Sequence, residues 1–411
     1  MDFQIMIDLE LIAKIKNKKA KVGIVGMGYV GVPLGIEFAE RGLEVVGFDT
    51  DAEKIKNINS GKQIMKHISS KKMTKFVKNG CKATSDFEEL KNTDCILMCV
   101  PTPLDTYEQP DMSYVKSATK TISKNLRKGQ LVILESTTYP GTTKEIIKPI
   151  LEESGLVAGK DFFLAYSPER EDPGNKDFSV SKIPKVIGGL TDKCLNVADA
   201  LYSQIITKTV KVSSPETAEA TKLMENIFRA VNIAMVNELK LVFERMNINI
   251  WEVIEAANSK PFGFMPFYPG PGMGGHCIPI DPFYLSWKAK EFNTEAKFIE
   301  LAGEVNRKMT ENVAHRIGKA LNDHSKSIRK SNILMLGLAY KKDIDDMRES
   351  PALKIAELLR FKGANISYHD PNIDDAKELR FVELSKESLR KADAVVITTD
   401  HSNVDYEMVG K

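Results

Sequence analysis

Residues 21–49 constrain this chain more than any other stretch. An apolar run, Lys21–Val25, leads into Gly26-Met27-Gly28-Tyr29-Val30-Gly31, then a helical run at 32–41, then a second apolar run, Glu44–Phe48, closed by Asp49. Strand, glycine turn, helix and strand in that order make a βαβ unit, the opening of a doubly wound sheet. The first glycine makes the tight turn, the second lets the backbone approach a pyrophosphate, and the third lets the helix pack closely on the strand. The helix N-terminus then faces the phosphates, with Tyr29 and Val30 in the turn beside them. Asp49 is placed to bond the adenosine ribose hydroxyls and to repel a 2′-phosphate, which favours NAD over NADP as cofactor.

Further strand-like runs at 95–100, 131–135, 162–166 and 186–188 extend this domain to about Val212. Their ends carry polar or turn-forming sequences that include Pro101 and Thr102, Thr137, and Ser167-Pro168-Glu169-Arg170-Glu171-Asp172-Pro173-Gly174. The carboxyl ends of parallel strands are where such folds bind ligands. Apolar residues at helical spacing then predict a long helix over 215–247, on which Lys222 and Asn226 lie one turn apart. That spacing by itself reads as a solvated polar face. Helices at Ile250–Asn258, 282–290 and 298–321 follow, and a second α/β domain is outlined by strands at 333–339, Asn365–His369 and 394–398 with a helix at 352–361. The expected fold is α/β: two Rossmann-like doubly wound parallel-sheet domains (1–212 and 329–411) joined by a central helical region (213–328). A short amphipathic helix with Ile5, Leu9, Ile12, Ala13 and Ile15 on its apolar face is expected ahead of the first strand.

Within the central region, Pro269-Gly270-Pro271-Gly272-Met273-Gly274-Gly275-His276-Cys277-Ile278-Pro279-Ile280-Asp281 looks built to present a thiol. A nucleophilic Cys277 and a small buried hydrophobe beside a glycine turn both fit the segment alone. His276 is read as a structural or substrate-contacting residue, because neighbours on an extended segment point in different directions. The five cysteines are scattered, with no zinc spacing and no disulfide density, and the N-terminal stretch has acidic residues where a signal peptide would be apolar; both point to a reducing cytoplasm. A net charge of +2 from interspersed charges predicts no nucleic-acid or membrane partner, and no metal site is expected.

Seven separated motifs in order give the chain its resemblance to the UDP-glucose/GDP-mannose dehydrogenase family: Gly26-Met27-Gly28-Tyr29-Val30-Gly31, Val100-Pro101-Thr102-Pro103, Glu135-Ser136-Thr137-Thr138-Tyr139-Pro140-Gly141-Thr142, Ser167-Pro168-Glu169, Lys222-Leu223-Met224-Glu225-Asn226, Gly274-Gly275-His276-Cys277-Ile278-Pro279-Ile280-Asp281, and Lys341-Lys342-Asp343 with Arg348-Glu349-Ser350-Pro351. The sequences Ser167 to Asn175, Pro261-Phe262-Gly263-Phe264 and Pro269-Gly270-Pro271-Gly272 are similar to the branch acting on UDP-N-acetylglucosamine. Neighbouring branches take UDP-N-acetylmannosamine, UDP-N-acetylgalactosamine or UDP-glucose.

The resemblance implies a four-electron oxidation of the sugar C6 alcohol to a carboxylate, with two NAD consumed, for surface polysaccharide such as the O-antigen of lipopolysaccharide. It gives Cys277 a thiohemiacetal and then a thioester, Lys222 and Asn226 the C6 oxygen, Asp281 and Thr137 the hydrolytic water, and Glu169 general-base work. It thereby replaces the solvated-face reading of Lys222 and Asn226. Glucose-specific members carry a second glutamate shortly after the first, and Glu171 here departs from that spacing.

Pro101, Thr102, Thr137 and Arg348 are implied as NAD contacts. Arg170, Tyr268, Gly274, Lys341 and Lys260 are implied as contacts to the UDP-sugar, alongside Glu169, Lys222 and Asn226. A homodimer or higher homo-oligomer built on 215–321 is expected. The resemblance also implies one more strand, with an Asp-x-Arg segment, than the 329–411 domain carries. Two other readings of the residues are a two-electron hydroxyacid dehydrogenase, which would not need Cys277, and a non-catalytic NAD or sugar-nucleotide binder.

Overall fold

In a computed structural model the chain forms two compact units, 1–224 and 225–411, and the division falls inside one continuous helix. The structure describes residues 4–65, 68–171, 180–373 and 375–410, so the expected ligand loop is seen only as far as Glu171; its Asp172, Pro173, Gly174 and Asn175 lie outside the described residues.

The first unit holds eight strands, β1 (Lys21–Val25), β2 (Glu44–Phe48), β3 (Lys82–Thr84), β4 (Cys95–Met98), β5 (Leu131–Leu134), β6 (Phe163–Tyr166), β7 (Lys185–Gly189) and β8 (Thr209–Val212). They lie in the order β3-β2-β1-β4-β5-β6-β7-β8. The order reverses direction between β1 and β4, the switch point at which ligands bind in such sheets. The helices are α1 (Gln4–Lys16), α2 (Gly31–Glu40), α3 (Ala52–Asn59), α4 (Ser70–Lys78), α5 (Ser113–Asn125), α6 (Lys148–Glu152), α7 (Asp192–Tyr202) and α8 (Pro215–Arg245). Strands β1, β4, β5 and β6 are almost wholly buried, which is why they read as continuous apolar runs.

Two expectations need correcting here. The sheet is not parallel throughout: β6 and β7 pair antiparallel, with Ala165 opposite Gly189 and Tyr166 opposite Gly188. A parallel return needs a crossover helix, and the described part of the connection holds only the turn Val180–Lys182. The expected apolar face of α1 holds in part: Ile15 is buried and Ile12 packs beside it, joined by Leu11 and Ile7, whereas Leu9 and Ala13 face outward and the Ile5 side chain lies outside the described residues. Strands β3 and β8 escape a hydrophobicity reading because they are short and half-exposed.

The second unit adds α9 (Ile250–Asn258), α10 (Asp281–Ala289), α11 (Lys297–Asp323) and α12 (Pro351–Phe361), and a parallel sheet of β9 (Asn332–Leu336), β10 (Asn365–His369), β11 (Arg380–Phe381) and β12 (Ala394–Ile397) in the order β11-β10-β9-β12. Its first turn repeats that of the first unit. Gly26 and Gly337 have φ of 96° and 84°, and a Cβ on either would meet a backbone oxygen of the neighbouring strand's exit, Cys99 at 2.5 Å and Thr399 at 2.2 Å. The residue after each glycine donates its amide to the aspartate closing the second strand, Met27 to Asp49 at 3.0 Å and Leu338 to Asp370 at 2.6 Å. The surroundings of the two aspartates differ: Lys54 pairs with Asp49 at 2.9 Å, whereas the fully buried His401 lies 3.1 Å from Asp370.

Candidate active site

The glycine turn after β1 is closed at its two ends and open at its middle. A Cβ on Gly31 would fall 2.1 Å from the Gly26 carbonyl oxygen, so helix and turn close only on a bare glycine. A Cβ on Gly28 would meet nothing within 4 Å, so the middle glycine leaves open space for a group approaching the backbone. Helix α2 begins there with no side-chain cap, and its first amides favour an anion. Tyr29 is exposed and Val30 half-buried beside the turn.

Asp49 is nearly buried and accepts from the amides of Met27 and Asp51, each at 3.0 Å, and from Lys54. Burial opposes its charge, but Lys54 and the two amides outweigh that and hold the carboxyl below its ordinary range. Thr102 is buried and Pro101 exposed after β4; Thr137 is half-buried after β5, where Ser136 donates to the Val100 carbonyl at 2.6 Å and ties the two strand ends together.

Beyond β6, the expected base Glu169 is held on both oxygens. Oε1 accepts from the amides of Arg170 and Glu171, each at 2.7 Å, and Oε2 lies 3.2 Å from the Lys185 ammonium. Burial opposes the charge, yet Lys185 and these amides keep the carboxyl below its ordinary range. Capture of a proton near neutral pH is therefore disfavoured at Glu169. On this loop burial pushes the Glu171 carboxyl up to about 7, with the neighbouring Glu169 and Glu37 adding to the rise. Arg170 donates to the Pro184 carbonyl at 2.6 Å.

Lys222 and Asn226 are both buried on α8, so the spacing-based reading of a solvated face does not hold; helix polarity patterns cannot distinguish water from a polar site. Three residues upstream of Lys222, the buried Glu219 accepts from the amides of Gly141 at 2.6 Å and Thr143 at 2.9 Å and from the Thr143 hydroxyl at 2.7 Å. Glu219 thus fastens the loop that begins with Thr137 to α8. The sequence offered only its place in a helical run.

In the second unit Asn226 donates to Asp281 at 2.6 Å, and the Asp281 amide donates to the Cys277 carbonyl at 2.8 Å. Asp281 is the first residue of α10, with Pro282 behind it, so the helix starts where the cysteine loop ends. Cys277 is exposed while Asp281 is buried. The other cysteines sit elsewhere: Cys81, Cys95 and Cys194 are buried, Cys99 half-buried. Burial and the Arg348 guanidinium push His276 below its ordinary range, which suits a neutral structural side chain.

The loop glycines serve packing as well as exposure. A Cβ on Gly274 or Gly275 would fall 2.6 Å or 2.8 Å from the Tyr340 side chain, next to the half-buried Lys341. Gly270 donates to Asn237 at 2.9 Å, and Asn237 in turn donates to Asn306 at 2.8 Å, a buried amide pair joining the loop to α8 and α11 that the sequence did not reveal. Arg348 forks onto Asp346, Tyr268 stacks on Trp251 with its hydroxyl on Glu255, and the exposed Lys260 lies over the Phe262 ring at 4.9 Å. The described residues include no group of three or more His, Cys, Asp or Glu able to hold a metal, and none of their helices is long and apolar enough to cross a membrane.

Models of three domains of one family match the chain: the UDP-glucose/GDP-mannose dehydrogenase family NAD binding domain at 20–206, central domain at 216–308 and UDP binding domain at 334–410. The UDP-N-acetyl-D-mannosamine dehydrogenase of Pyrococcus horikoshii is 37% identical over 95% of this chain and 92% of its own. The UDP-N-acetyl-D-glucosamine 6-dehydrogenase of Pseudomonas aeruginosa is 36% identical over 94% and 91%. Among solved structures, UDP-D-ManNAc dehydrogenase from P. horikoshii superposes with a TM-score of 0.87 at 36% identity, covering 95% of this chain and 92% of that one. A UDP-glucose dehydrogenase from Pyrobaculum islandicum gives 0.85 at 26% identity, covering 94% and 92%.

Proposed function

The chain belongs to the UDP-glucose/GDP-mannose dehydrogenase family and carries its NAD-binding domain, and on that premise we propose that it oxidises the C6 alcohol of UDP-N-acetyl-D-glucosamine to the carboxylate in two NAD-dependent steps. The observation that carries the chemistry is the contact between Asn226 and Asp281, four residues beyond the exposed Cys277. The Gly26–Gly31 turn and Asp49 would hold NAD, which would supply the hydride acceptor for each oxidation.

The remaining work falls to the chain's own side chains. After the first oxidation the Cys277 sulfur adds to the C6 aldehyde, giving a thiohemiacetal; loss of the second hydride leaves a thioester, and water cleaves the carbon–sulfur bond to release carboxylate and thiol. Lys222 and Asn226 stabilise negative charge on the C6 oxygen. Asp281, oriented by the Asn226 amide, holds the attacking water with Thr137. Glu169 faces the substrate as an ionised carboxylate, and the neighbouring Glu171 is suited to exchange a proton near neutral pH. Tyr268, Gly274, Lys341, Arg170 and Lys260 contact the nucleotide sugar, and Arg348 the cofactor. Domains at 1–212, 213–328 and 329–411 divide these tasks.

The N-acetylglucosamine epimer is favoured by the residues following Ser167 and by the glucosamine-acting relatives; the mannosamine epimer is the second reading, favoured by the Pyrococcus relative. A panel of UDP-sugars assayed for NADH tests the choice: the preferred epimer releases two NADH per sugar. One NADH per sugar with free aldehyde, or a Cys277→Ala variant that still forms uronate, counts against the thioester route. The apolar stripe Phe228, Met235 and Val242 on α8, exposed on the single chain, is covered by a second copy in the proposed homodimer, which works in the cytoplasm.

A further inference from the structure

A buried cluster beneath Glu169 has no part in the chemistry above. Lys185 is 4% exposed and its ammonium lies 2.6 Å from Glu135 and 3.2 Å from Glu169; Glu135 also receives the hydroxyl of the fully buried Tyr202, whose ring lies 5.3 Å from the ammonium. Two carboxylates and one ammonium out of water are costly to assemble, and an apolar replacement of such a pair often leaves stability unchanged or higher. The cluster is therefore poorly explained as a device for stability.

Its place follows from the reversal of β7. Because β7 runs against β6, its first residue lies at the carboxyl edge of the sheet, where ligands bind, instead of the opposite edge. The register that sets Tyr166 opposite Gly188, continued past the strand ends, sets Glu169 opposite Lys185. A parallel β7 would carry the lysine to the other side of the domain.

We infer that Lys185 is a positioning residue that acts through Glu169: seated on Glu135 and Tyr202, its ammonium fixes the orientation and charge of the Glu169 carboxylate from behind the loop. With Oε2 on Lys185 and Oε1 on two amides, the Glu169 side chain has one orientation available. The inference rests on the proposed place of Glu169 at the substrate. The groups facing Glu169 are Lys185 from β7 and Glu135 from the end of β5, with Tyr202 of α7 and Cys99 beyond β4 behind them; Glu171 on its own loop faces Glu37 of α2 and Lys72 of α4. Removing the ammonium leaves neighbouring carboxylates that favour a proton on one another.

Four variants test this: Lys185→Met, Lys185→Arg, Lys185→Met with Glu135→Gln, and Glu169→Gln, each followed by Tm, NADH yield and the pH dependence of kcat. The double variant removes both ends of the buried pair, so it keeps the test open if Lys185→Met alone does not fold. We expect Lys185→Met to lose kcat with the acid limb moved up by about one pH unit or more, since an opposite charge at this range shifts a carboxyl by roughly 1–3 units. The double variant, which also removes the like charge of Glu135, should fold and lose kcat with a smaller upward move. Lys185→Arg, which keeps the charge, restores the wild-type limb. A folded double variant with wild-type kcat and limb, beside an impaired Glu169→Gln, overturns the inference alone. Wild-type kcat in Glu169→Gln overturns the role of Glu169 itself, and the inference with it.

Discussion

Asn226 hands an amide hydrogen to the Asp281 carboxylate across 2.6 Å, joining α8 to the first turn of α10 just beyond Cys277. Each residue fixes the other, since the carboxylate gains a donor and the amide is held in one flip state. Asp281→Asn keeps the shape but removes the charge, and should lower kcat by about 10²–10³, the scale of losing one preorganised polar group in a reacting site. Asn226→Ala should in addition cost about 1–3 kcal/mol of stability, because Asp281 loses a donor while buried. Steady-state kinetics and thermal melts check both; an Asp281→Asn enzyme with wild-type kcat removes Asp281 from the reaction.

The glycines of the dinucleotide turn separate fold from binding. Gly26→Ala places a Cβ 2.5 Å from the Cys99 carbonyl oxygen at a φ of 96°, and should destabilise the protein by several degrees of Tm. Gly28→Ala meets nothing within 4 Å and should melt as wild type while losing NAD affinity. Calorimetric titration with NAD beside a melting curve decides it, and Gly28→Ala with wild-type affinity would move the pyrophosphate elsewhere.

Glu219 makes stability depend on pH. Burial is the main cause of its rise from 4.5 to about 7, against the bonds from Thr143 and Gly141. A carboxyl raised on folding contributes stability below its unfolded value and loses it as pH climbs through the folded value. Between about pH 4.5 and 7 the wild-type Tm should therefore fall relative to that of Glu219→Gln, even though the amide loses one of the acceptors Glu219 offers. Parallel Tm curves across that window would mean that Glu219 does not titrate there.

The stripe Phe228, Met235 and Val242 recurs every seven residues along α8, so its members share one side of the helix. Met235→Glu should halve the mass measured by light scattering while leaving circular dichroism unchanged. An unchanged mass places the subunit contact on another surface.

The first βαβ unit was legible because its glycines, apolar runs and terminal Asp49 answer to backbone sterics, which act locally. Cys277 and Asp281 were legible in one motif and Asn226, through the family resemblance, in another, but the 2.6 Å contact between Asn226 and Asp281 was not, since it joins positions far apart in the chain. The antiparallel turn of β7 was missed for a related reason: Lys185–Gly189 has the same apolar pattern in either direction. Lys185 belongs to no motif noted in the sequence; Glu135 and Glu169, brought to it by the fold of the sheet, give it charge partners out of water. On α1 the expectation placed Ile12 and Ile15 correctly but added Leu9 and Ala13, which fit a helical period as well as the buried Leu11 does.

The repeated turn of the two sheets carries a consequence for counting. Gly337 and Asp370 reproduce Gly26 and Asp49, yet the buried His401 lies against Asp370, so among the described residues the two turns are alike in backbone and unlike in what flanks the aspartate. If the first turn alone seats the cofactor, the two hydride removals of the proposed reaction draw on cofactors bound in turn. On that reading reduced cofactor departs and oxidised cofactor arrives between them, and the half-oxidised sugar has to be held by the protein through the exchange. A covalent tether to the chain is the simplest way for a single-seat enzyme to keep its place in a two-stage reaction.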